Sequence, residues 1–153
     1  MSTPNDKAVS VLNNLITTCK DGENGFRSAA EGVEDASLQQ TFAELSSQRA
    51  TFALELQGEI QKLGGEATDS GSTLAALHRG WLNIKEAVAG REGKAILEEC
   101  ERGEDVAVKA YREAVEGGDL NGDSLNLVTR QQSDVQAAHD RVKALRDAAR
   151  AAA

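Results

Sequence analysis

Seven residues stand where an apolar helix stripe wants leucine or valine: Glu23, Arg49, Glu59, Glu101, Glu104, Gln132 and His139. A charged side chain in a core is costly unless it is paired or bound to a metal, so residues of this kind are expected to meet as a polar band. Two chemistries would bring them together. In the first, carboxylates from several helices hold one or two iron or manganese ions, with Glu23, Glu101 and Glu104 as oxygen ligands and His139 as the nitrogen ligand. In the second, the band is an ion-pair network. Arg49 and His139 neutralise Glu23, Glu101 and Glu104, Trp81 and Gln132 complete the hydrogen bonds, and His78 pairs with a carboxylate.

The network is the preferred account. Arginine carries a permanent charge that repels a nearby cation, and its planar fork satisfies a carboxylate bidentately. Paired-metal sites in helix bundles add Glu-x-x-His on two helices to a lone Glu on the other two. No Glu-x-x-His occurs here; Gln136-x-x-His139 carries an amide instead, and Glu55 is followed at the third place by Gly58. No cofactor is therefore expected, with iron or manganese as the alternative, and no residue is assigned a catalytic role.

Other chemistry is weaker. A Cys100–His139 nucleophile would need an exposed thiol of lowered pKa, whereas Cys100 is flanked by Glu98, Glu99 and Glu101. Asp119-x-Asn121-x-Asp123 starts like a calcium loop, but its glycine is Gly122 and its twelfth place is Arg130, so it reads as a helix-linking turn. Cys19 and Cys100 both fall in apolar segments and read as buried thiols.

The elements that must position these residues are helices. Apolar residues recur at alternating steps of three and four, as in Val9, Leu12, Ile16, Cys19, Phe26, Ala30 and Val33, or Leu125, Val128, Val135 and Val142. Breakers delimit five segments. The first runs from Pro4 to about Glu34, and the second opens on a Ser37/Gln40 capping box and ends at Gly64-Gly65. A shorter third runs from Asp69–Ser72 to Gly90, a fourth from Gly93 to Gly117-Gly118, and a fifth from Asp123 or Ser124 almost to the end. The expected architecture is an all-α antiparallel helix bundle, four long helices plus one shorter, in one domain spanning 1–153. Up-down-up-down order is favoured over a long crossover, because Gly64–Ser72 alone scarcely spans a bundle.

Counting outward from the turns places Glu23 level with Arg49, Glu101 level with His139, Trp81 beside Glu101, His78 beside Glu104 and Cys19 level with Cys100. In His78-Arg79-Gly80-Trp81 the glycine is expected to admit a close helix contact while Trp81 packs.

A net charge of −8 repels phosphate backbones and anionic lipid, so neither nucleic acid nor membrane is an expected partner. No apolar run reaches the roughly 20 residues of a membrane span, and the polar start MSTPNDK is unlike a secretory signal, so a cytoplasmic location is expected. A homo-oligomer is compatible with the sequence, and an adaptor working through its acidic outer faces is the remaining functional class.

The runs CKDGENGF at 19–26, LHRGW at 77–81 and ILEECERGED at 96–105 resemble those of a bacterial domain-of-unknown-function family of ferritin-like four-helix-bundle proteins. The resemblance covers roughly 5–118, the expected ferritin-like core, with a looser match in HDRVKALRD at 139–147 on the C-terminal helix of about 124–150. It implies the ferritin-like class and an association with stress or stationary-phase physiology. It supplies no catalytic mechanism, and without the paired-iron signature ferroxidase activity does not carry over.

Overall fold

The computed structural model describes residues 3–68 and 80–152. Among the described residues there are five helices: α1 (Pro4–Gly32), α2 (Ala36–Lys62), α3 (Ile84–Ala89), α4 (Gly93–Glu116) and α5 (Gly122–Ala151). Helix α1 starts as its sequence dictates. Pro4 takes a first-turn position that needs no N–H, and Thr3 and Asp6 form a reciprocal capping box. Helix α2 is capped by Asp35, whose carboxylate accepts from Leu38 N at 2.9 Å, rather than by Ser37, which lies inside the helix.

Helix α1 packs against α2 and α4, and α5 against α4 and α2. All four contacts are antiparallel. Cys19 meets Tyr111 while Gly25 and Gly103 share Trp81 between them, so α1 and α4 run oppositely. Glu59 meets Ser124 and Thr41 meets Arg141, which opposes α2 to α5. It follows that α2 and α4 are parallel, and the order is up, down, down, up. The expected up-down-up-down order is thereby corrected: the chain between Leu63 and Glu92 must travel the length of the bundle, the single long crossover of ferritin-like folds.

Its described parts track α1 in register. Asn13 donates to Glu66 O at 3.1 Å and accepts from Thr68 N at 2.6 Å, Trp81 lies against Gly25, and Val88 lies against Gly32. The third helix is accordingly only six residues long, while its expected start at 69–72, and His78, lie outside the described residues.

The core falls into two apolar clusters. One gathers Leu12, Leu15, Ile16, Cys19, Phe52, Leu56, Ile60, Tyr111, Val128 and Val135. The other gathers Phe26, Phe42, Leu45, Trp81, Ile84, Ile96, Cys100 and Val142. In sequence, Arg49 falls between Leu45 and Phe52, and Glu104 between Cys100 and Tyr111. The two clusters meet at a polar layer.

Candidate functional site

That layer is built from the middle turns of α2 and α4, whose central positions are Arg49 and Glu104. The guanidinium donates through Nη1 to Glu104 Oε1 and through Nη2 to Oε2, both at 2.7 Å, and the two side chains are 1 % and 0 % exposed. Gly22 on α1 leaves the room that the Arg49 stem fills, and the guanidinium carbon sits 5.5 Å from the centre of the Phe26 ring. Burial opposes the arginine charge, but Glu104 outweighs it and holds the Arg49 pKa above its ordinary value.

Beside this layer a second chain of polar groups crosses the bundle. Tyr111 donates to Gln131 Oε1 at 2.7 Å, and Gln131 Nε2 donates to Phe52 O at 3.3 Å and Glu55 Oε1 at 3.1 Å. The Tyr111 proton is thus committed, so in the 3.1 Å contact between Cys19 Sγ and Tyr111 Oη the thiol is the donor. Burial pushes the Cys19 thiol up to about 11, and the nearby Arg49 charge offsets this only in part. Burial and the neighbouring thiol raise Tyr111, and burial with the Glu104 charge raises Cys100. Both cysteines are free and buried, and neither has the environment of a nucleophile.

The expected site residues separate into two groups. Arg49 and Glu104 come together at the centre. Glu23, Glu101 and His139 lie on the flanks of their helices, with side chains 16 %, 17 % and 14 % exposed. Glu23 pairs on its own helix with Arg27 at 2.8 Å and Lys20 at 3.6 Å, while Glu101 pairs with Arg146 at 2.9 Å. The four residues Glu23, Glu101, Glu104 and His139 therefore do not converge on one point. Gln132 is half-buried, and the buried amide is its neighbour Gln131.

Trp81 lies not beside Glu101 but in a slot between Gly25 and Gly103, where a Cβ on either glycine would overlap the indole. Its ring meets Phe26 edge-on at 4.9 Å. Gly80 precedes it at φ 95°, a conformation that glycine adopts without strain and that turns the chain against Gly103.

Several buried groups were not singled out by sequence. Glu99 accepts from Asn83 N at 2.9 Å, holding the chain as it enters α3, and pairs with Arg102. Asp21 is likewise buried on α1, whereas Glu59, already expected in the core stripe, is buried and accepts from Ser124 at 2.9 Å. Outside the layer, His139 Nε2 meets Asp105 at 2.7 Å and Glu101 at 3.9 Å, and its Nδ1 meets Asp140 at 3.2 Å. Burial disfavours the imidazolium, but the bonds to Asp140 and Asp105 outweigh it and raise the His139 pKa. Asp105 follows Glu101 by one turn, an i, i+4 signal that a search confined to the core stripe passes over.

None of the described helices is long and apolar enough to cross a membrane. No curated protein matches the chain. The family described as "Domain of unknown function (DUF2383)" matches residues 7–117, from the first turns of α1 to the end of α4, and the chain belongs to that family.

Proposed function

We propose that this chain is a non-catalytic ferritin-like bundle whose central charges fix helix register and whose function is exercised at its acidic exterior. The observation that carries the reading is the bidentate Arg49–Glu104 pair. It occupies the middle of the core, and both oxygens of the most buried carboxylate are already spent on a permanent cation. A metal ion there would have to displace the guanidinium, which would be left buried and uncompensated. The thiols offer no alternative centre, because both are buried and protonated.

The test is iron(II) oxidation. Anaerobically loaded protein mixed with oxygen is expected to oxidise iron(II) no faster than buffer does. A protein-dependent, repeated turnover would overturn the reading in favour of a carboxylate iron protein.

A further inference from the structure

We propose that Glu101, Asp105 and His139 form a site for one divalent transition-metal ion of the zinc type, on the outer edge of the α4–α5 contact. One donor atom from each of the three lies within 4.8 Å of the others. Two come from successive turns of α4 and the third from the antiparallel α5, so the backbone positions are set by helix packing and not by a loop. Imidazole nitrogen with two carboxylate oxygens is a set that zinc accepts at about 2.0–2.2 Å from each ligand, with a further position left for water.

Two neighbours prepare the site. Asp140 engages Nδ1 of His139 at 3.2 Å and so turns Nε2 toward Asp105 and Glu101, the carboxylate–histidine arrangement that orients metal-bound imidazoles. Arg146 takes Oε2 of Glu101 at 2.9 Å, whereas Oε1 faces His139. The ring nitrogen and one oxygen of each acid thereby point at a common place, and an arriving cation replaces the proton on Nε2. Arg146 opposes the cation by its charge, while Asp140, the third carboxylate beside Glu101 and Asp105, favours it. The site is separate from the central layer and does not depend on the reading above. Iron oxidation at the core and zinc binding at this edge can fail independently.

The experiment is calorimetric titration of zinc into chelator-treated full-length chain in a non-coordinating buffer. One equivalent is expected to bind saturably. His139→Gln and Asp105→Asn, checked for unchanged helix content by circular dichroism, should each weaken binding by more than about tenfold. Asp140→Asn should weaken it by about tenfold or more, as loss of an orienting partner does. Arg146→Gln should tighten it. Absence of saturable binding to the wild-type chain, or a folded His139→Gln chain that binds zinc as tightly as the wild type, would overturn the proposal.

Discussion

Arg49 on α2 and Glu104 on α4 face each other through two 2.7 Å bonds on diagonally placed, parallel helices, and neither reaches solvent. Because the partners come from opposite sides of the crossover, the pair ties together the two halves of the chain. It also specifies one height for α2 relative to α4, since sliding either helix by a turn would strand both charges among leucines and phenylalanines. Removing one partner should therefore cost far more than removing both. Arg49→Met or Glu104→Leu alone is expected to lose about 3–5 kcal/mol, and the double variant much less than their sum. Urea unfolding of the three variants measures this, and additive losses would show that the pair does not act as a unit.

The tryptophan slot makes an opposite pair of predictions for two helical glycines. At Gly25 an added methyl meets the Trp81 indole, so Gly25→Ala should destabilise by about 1–3 kcal/mol through overpacking. At Gly58 no atom lies within 4 Å of the added carbon, so Gly58→Ala should stabilise by about 1 kcal/mol through helix propensity. Thermal unfolding reads both. Trp81 is the single tryptophan of the chain, so its emission should shift to the red in Gly25→Ala and stay fixed in Gly58→Ala.

The helices and the identity of the central charges were legible because a charged residue inside an apolar repeat must find a partner. The phase of the repeat was not. On α5 the expected stripe Leu125, Val128, Gln132, Val135, His139, Val142 shares its three valines with the observed face Ser124, Val128, Gln131, Val135, Ala138, Val142. Steps of three and four allow both readings, and small or polar inner residues such as Ser124 and Ala138 carry no hydrophobic signal to choose between them. The same ambiguity on α1 and α4 arises because Gly22, Gly25 and Gly103 lie on the inner face. This put Glu23 and Glu101 in the core stripe, when they flank it. The crossover was hidden for a different reason: residues 72–90 were read as one helix, which would have returned the chain, whereas only Ile84–Ala89 of the described part is helical.

That phase difference can be measured with adjacent glutamines. Gln131 is fully buried and bonded to Tyr111, Phe52 O and Glu55, so Gln131→Ala takes the acceptor from the buried Tyr111 hydroxyl and removes the second bond from the Phe52 carbonyl. A loss of about 1–3 kcal/mol is expected, and Tyr111→Phe should fall in the same range. Gln132→Ala, half-buried one residue further on, should stay within about 0.5 kcal/mol of the wild type. Equal effects at the two glutamines in denaturant titrations would restore the other phase.

The thiol of Cys19 gives the chain a limit at alkaline pH. Its folded pKa of about 11 lies above the ordinary thiol value of 9.0, chiefly through burial, so the folded state keeps a proton that the unfolded chain releases. The associated stability is complete below the unfolded value, declines as pH rises through about 9, and is lost by about 11. Cys100 and Tyr111, raised in the same direction, steepen the decline. Unfolding free energies measured from pH 8 to 10.5 should fall for the wild type and fall less for Cys19→Ala, although that variant starts lower for want of the buried sulfur. Parallel curves for the two proteins would mean that this thiol ionises as readily in the bundle as in the open chain.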